Sequence, residues 1–191
     1  LGVISGEFAF MPAKVVSEPW IVVSSIFMHG SLSHLMLNMI GLFTFGFLLE
    51  NIIEKKEWVI LYFTAGFIAS FGYMLLTSSP FSTAVGASGA IFGLMGALAV
   101  MRPRQVIYTM YGPLPMMAAA VIWGAIEFFS LYSPDNIAHS AHLFGLLGGV
   151  MFGFMFRSKI NWKWSLIPCV LFLSAIFVFA TQLPSEINYY N

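Results

Sequence analysis

Charge is scarce in this 191-residue chain. Asp, Glu, Lys and Arg make up 8% of it and hydrophobic residues 59%, whereas soluble domains carry about 25% charged residues. Mean hydropathy is +0.88. These values exclude a soluble domain with one anchor and point to a polytopic membrane protein. The formal net charge is zero, so no basic surface for nucleic acid is expected. The single cysteine, Cys169, excludes an internal disulfide, and its setting in SLIPCVLFLSA fits a buried or lipid-facing thiol. No basic segment followed by a cleavage site marks a secretory signal. No HExxH pair is present, and only His139 and His142 share a helix at ligand-like spacing, so no metal and no cofactor is expected. His139 and His29 read as satisfied loop or cap residues. Repeats, low-complexity tracts and long linkers are also missing, so residues 1–191 read as one helical membrane domain.

Six apolar segments are present, where a bilayer-crossing helix needs about 20 residues: 31–53, 57–77, 86–101, 114–132, 137–156 and 162–183. Charged or turn-rich breaks separate them: EKKE, SSPFST, RPRQ, YSPDN and RSKINWK. Residues 1–30 are apolar in patches but broken by Pro12, Pro19, Glu7, Glu18 and Lys14, and read as a membrane-embedded loop. Lys55, Lys56, Arg102, Arg104, Arg157, Lys159 and Lys163 all fall in loops on one side; only Lys14 falls on the other. By the positive-inside rule the first, third and fifth spans then start outside, in a protein of the cell membrane.

That orientation brings four polar residues to one depth. His34 and Asn38 sit one turn apart near the start of the first span, Ser88 near the start of the third and His142 near the start of the fifth. Taken singly, a serine between glycines is packing material and a lone histidine is an interhelical hydrogen-bonder. Their shared depth is what argues for a site. Gly89 and Gly93 form one GxxxG, and Gly145, Gly149 and Gly153 form two overlapping ones, so the third and fifth helices can approach closely. Close approach would place the Ser88 hydroxyl against the His142 imidazole, the pairing that activates a serine nucleophile. The third span, at about 16 residues, is roughly 24 Å long, less than the hydrocarbon core of about 30 Å. Ser88 thus lies below the surface, in need of a water-filled cavity, at a helix N-terminus whose free amides favour negative charge. His34 and Asn38 could add donors to the oxyanion site.

For an acidic third member the sequence offers little. Asp135 lies in the loop before the fifth span, and Glu50, Glu54 and Glu57 lie at the opposite side. Glu127 is the one acid at plausible depth, and it reads as a gate contact or an interhelical hydrogen-bonder. A Ser–His dyad with no acidic partner is expected.

HGSLSHLMLNMIG (29–41), GASG (86–89) and AHLFGLLGG (141–149) resemble the HxxxxHxxxN, GxSG and AHxxG motifs of the rhomboid intramembrane serine proteases, and the likeness runs from about Glu18 to Arg157. The resemblance implies Ser88 as nucleophile, His142 as general base, and His34 and Asn38 as oxyanion partners. It gives Gly86, Gly89 and Gly145 supporting places and sets Phe92 against the catalytic histidine. It implies cleavage of transmembrane protein substrates, entering laterally beside the fourth span, among membrane lipids and without a cofactor. The family core has six helices with GxSG on the fourth, so this chain would carry core helices 2–6 plus a C-terminal span (162–183), without the first. Trp20 is followed by Ile21 where many members have arginine, and ENIIEKKE lacks a glycine common after the residue matching Glu50. Two rivals stand beside this reading: an inactive relative that binds membrane clients, and a transporter or channel using the histidines as a polar pathway. The first usually lacks the serine or the histidine; the second would need polar groups near the other membrane face and an inverted repeat.

Overall fold

The computed structural model describes residues 5–109, 112–135, 137–158 and 166–183. Among these, helices dominate. α1 (Leu32–Gly41) runs on through a π-helical turn, Leu42–Gly46, and Phe47–Glu50, so that Leu32–Glu50 forms one apolar helical stretch. It is followed by α2 (Lys55–Leu76), α3 (Ser88–Met101), α4 (Met116–Phe129), α5 (His139–Arg157) and α6 (Leu166–Ala180). Leu32–Glu50, α2 and α5 are long and apolar enough to cross a membrane; α3, α4 and Val170–Ala180 are shorter apolar helices. The protein is a helical membrane bundle.

Local chemistry explains where the helices start. Ser31 caps α1 by accepting from the His34 amide at 3.0 Å. Glu54 and Glu57 form a reciprocal capping box at the start of α2, with the Glu54 amide donating to Glu57 Oε2 at 2.9 Å. Gly86 has φ +122, a conformation that L side chains rarely adopt, and it turns the chain into α3 two residues later.

The expected span at 114–132 is shorter than read, because its approach is a β-hairpin. Strands Val106–Thr109 and Gly112–Pro115 pair antiparallel, with Val106 opposite Pro115 and Thr109 opposite Gly112. The β-branched run VIYT and the turn-forming Gly112 (φ +102) account for it.

Residues 5–27 form short helical turns, in keeping with the expected loop, held to the segment before α3. Phe10 and Ala84 exchange both backbone hydrogen bonds at 2.9 Å, the Ala13 amide donates to Pro80 O, and the Gly86 amide donates to Ser25 O at 2.9 Å. Phe10, Val15, Ile21 and Val22 are buried in the same core as Leu61, Leu94, Leu98, Phe152 and Ile176.

α3 is the central element; from Gly89 to Val100 only Phe92 is not buried. Its contact with α5 is backbone on backbone. A Cβ at Gly145 would collide with the Gly89 carbonyl, one at Gly149 with the Gly93 carbonyl, and one at Gly96 with the Leu146 carbonyl. On α2, Ala65 and Ala69 fill the other side of Gly93 and Gly89. The GxxxG faces of the sequence therefore meet each other, as small residues in membrane helices do. The Cys169 side chain, Lys159 and Lys163 lie outside the described residues, as does the start (162–165) of the last expected span.

Candidate active site

The α3–α5 seam determines what meets at its mouth. Ser88 is the first residue of α3, and His142 lies one turn into α5. The Ser88 Oγ and His142 Nε2 are 2.7 Å apart, the hydroxyl donating when the ring proton sits on Nδ1. The Phe92 ring, one turn after Ser88, stacks on the imidazole with centroids 4.6 Å apart and planes 7° from parallel. The ring is thus gripped by an aromatic face and a hydroxyl supplied by the same helix.

The start of α1 closes the other side. Gly86 packs so tightly there that a Cβ on it would lie 2.7 Å from the His34 imidazole and 3.7 Å from Asn38 Nδ2. Asn38 is buried and donates one amide hydrogen to the His34 carbonyl at 2.9 Å, which leaves its second N–H uncommitted by that bond. The expected oxyanion residues therefore sit beside the turn that leads into Ser88. At the N-terminus of α3 the first intrahelical acceptor, Ala87 O, takes the Ile91 amide, so the Ser88, Gly89 and Ala90 amides precede the ladder. A cavity of about 40 Å³ lined by Ser88, Gly89, Gly86, Ala141 and Tyr73 adjoins this turn, enough for a few waters at about 10–15 Å³ each.

His29, read as a loop residue, lies edge-on to His34 at 5.1 Å between centroids, with Nδ1 bonded to the Phe27 carbonyl at 3.2 Å. Its burial lowers its pKa below the ordinary histidine value. His29 is the first histidine of the HxxxxHxxxN segment, and the bend before α1 brings its ring to that of His34.

The fourth helix brings an acid to the histidines of α5. Ala120, Gly124 and Glu127 share the face of α4 turned to α5; Glu127 is buried, and a Cβ on Gly124 would press on Leu146. Of its two readings, the interhelical one matches the contacts seen: Glu127 meets both histidines of α5. Its Oε2 is 2.6 Å from His139 Nδ1, and its Oε1 is 3.1 Å from His142 Nδ1. The expected absence of an acidic neighbour for His142 is corrected here: α4 ends at Phe129 and α5 begins at His139, and an acid near the end of one faces the first turn of the other. At 3.1 Å the His142 contact has ion-pair distance but not hydrogen-bond alignment, and Nδ1 has no directed partner among the described residues. His139 is buried rather than a loop residue, and its Nε2 reaches Asp135 at 3.1 Å. That hydrogen bond holds the exposed Asp135 carboxyl below its ordinary pKa.

Glu127, His139 and His142 offer one glutamate and two histidine ligand atoms within 4.8 Å of one another, a set able to take a cation. Two of the three are already joined by the 2.6 Å Glu127–His139 contact, which a metal would have to break.

Comparison with known proteins agrees with this architecture. The Rhomboid domain profile matches residues 16–159. The chain is 30% identical over 163 residues to "Putative rhomboid protease YdcA" of Bacillus subtilis (strain 168), covering 83% of this chain and 72% of that one. It is 35% identical over 138 residues to RHOMBOID-like protein 5 of Arabidopsis thaliana, covering 72% of this chain and 44% of the relative. Against Rhomboid protease GlpG of Yersinia pseudotuberculosis the identity is 27% over 161 residues, 81% of this chain and 56% of the relative. The chain thus spans about half the length of two of these three relatives. With three quarters of its length inside the domain match, this chain belongs to the rhomboid family.

Proposed function

We propose that this chain is an intramembrane serine protease that cuts transmembrane protein substrates with Ser88 as nucleophile and His142 as general base. The observation that carries the reading is the 2.7 Å contact between Ser88 Oγ and His142 Nε2, formed by residues 54 apart in sequence. Family membership and the protease names of the relatives support the reaction class.

In this mechanism Nε2 takes the Ser88 proton as Oγ attacks the scissile carbonyl. The oxyanion forms at the N-terminus of α3, where the first-turn amides and the positive end of the helix dipole meet it. The free N–H of Asn38 and the His34 ring supply further donors. His142 returns the proton to the leaving amine; water, deprotonated in turn by Nε2, releases the acyl group and regenerates Ser88. Stacking on Phe92 keeps the ring in the plane that serves both transfers. No step calls for a cofactor.

Membrane topology follows from the basic loops: the site opens to the outer side of the cell membrane, residues 1–191 act as one domain, and substrate arrives through the lipid beside α4. Purified protein in liposomes, given a fluorescent single-span substrate, tests the reading. Cleavage by wild type and none by Ser88→Ala is the expected result. Equal cleavage by both overturns it.

A further inference from the structure

We infer that Glu127 is a positioning residue for His142, so that the hydrolytic machinery is a serine–histidine–glutamate set braced from behind by His139. This rests on the assignment of Ser88 and His142 proposed above and extends it to two side chains that the reaction scheme does not otherwise use.

The geometry is a continuous polar chain. Ser88 Oγ lies 2.7 Å from His142 Nε2, His142 Nδ1 lies 3.1 Å from Glu127 Oε1, Glu127 Oε2 lies 2.6 Å from His139 Nδ1, and His139 Nε2 lies 3.1 Å from Asp135. An ionisable group in a membrane helix is costly unless it is paired, and Glu127 is buried there. A carboxylate in that position needs partners on both oxygens. His139 satisfies one. The other oxygen faces an imidazole nitrogen that is itself buried without a directed partner. The carboxylate oxygen and the unpartnered ring nitrogen face each other at 3.1 Å.

For His142 to accept the Ser88 proton at Nε2, its own proton must sit on Nδ1. Glu127 is the acceptor in reach of that proton, so it selects the productive tautomer and stabilises the imidazolium formed as Oγ attacks. The unaligned 3.1 Å contact is what a resting site presents, since such contacts tighten when substrate is bound. His139 acts one step further back. Its 2.6 Å contact fixes the rotamer of Glu127, and Asp135 in turn fixes the His139 ring from the loop between α4 and α5.

A gate role for Glu127 predicts something different, because a gate matters to a bulky span substrate and not to a small reagent. The experiment therefore pairs two readouts on wild type, Ser88→Ala, Glu127→Gln and His139→Asn: kcat and KM for a single-span substrate in liposomes, and the labelling rate with a small fluorophosphonate. Ser88-dependent labelling of wild type establishes the nucleophile beneath the inference; its absence overturns both. Given that labelling, Glu127→Gln should lose about 100-fold or more in kcat and in labelling rate alike, with KM little changed. His139→Asn should show a smaller fall in the same two readouts, and it remains informative should the Gln variant unfold in a thermal melt. Labelling at the wild-type rate in both variants, or a loss confined to the span substrate, overturns the inference.

Discussion

Two contacts of α5 are built on opposite principles. Toward α3 it presents Gly145 and Gly149, and the two backbones touch with no side chain between them. Toward α4 it presents histidines and Leu146, met by Ala120, Gly124 and Glu127, while the far side of α4 carries Val121, Ile122, Ile126, Phe128 and Phe129, all exposed. The first contact has one solution and no slack. The second joins through a few polar and small groups on a helix that also touches α3 and the hairpin but leaves its outer side uncovered. On the reading proposed above, the first contact holds nucleophile and base at fixed distance, and the second borders the path by which substrate would arrive. The difference shows how packing chemistry separates the two tasks along one helix.

The largest effect should come from filling the rigid seam. Gly149→Ala puts a methyl on the Gly93 carbonyl, so the helices must part. Overpacking against backbone should cost about 3 kcal/mol, which lowers the melting temperature by roughly 6–12 °C and takes proteolysis with it. An unchanged melt would show that the seam is not as tight as its glycines indicate.

Loss of Asn38 ranks next. Asn38→Ala removes one donor beside the oxyanion site and should reduce kcat by about 100-fold, the usual consequence for such a group, with the melt little altered. A loss of stability as large as that of Gly149→Ala would make Asn38 a structural residue instead.

The α4 side of the comparison should respond differently. Phe129→Ala removes an exposed ring at the end of α4. Its stability change should stay within about 0.5 kcal/mol, as for surface positions. Its effect should appear as a change in rate for span substrates and none in fluorophosphonate labelling. Equal changes in both readouts would place Phe129 with the chemistry rather than the entry path.

The smallest effect belongs to Asp135. Its pKa is lowered by the hydrogen bond from His139, so its contribution to stability is present above the ordinary carboxylate range and lost as pH falls through the lowered value. Melts of wild type and Asp135→Asn should therefore differ slightly near neutrality and converge below about pH 4. A gap that widens in acid contradicts this sign.

Much of the seam was legible before any coordinates. Glycine spacing is a strong signal in membrane helices, and the orientation of the spans brought Ser88 and His142 to one depth. The pieces that escaped are those made by chain reversal. RPRQ reads as a basic break and 114–132 as a span, yet VIYT and GPLP pair as strands, with Gly112 at positive φ. Glu127 and His139, 12 residues apart, carry no motif; they meet because the end of α4 packs against the start of α5, and their pairing is invisible to helical periodicity. Pro12 and Pro19 correctly denied a long helix to the first residues, but no local pattern announces the Phe10–Ala84 bridge.

The most direct test of the central claim is to map the fluorophosphonate adduct by mass spectrometry in wild type and His142→Ala. An adduct on Ser88 in wild type, reduced at least about 100-fold without the histidine, is the result expected from the 2.7 Å contact. An adduct on another serine, or one on Ser88 that forms equally fast without His142, would contradict it.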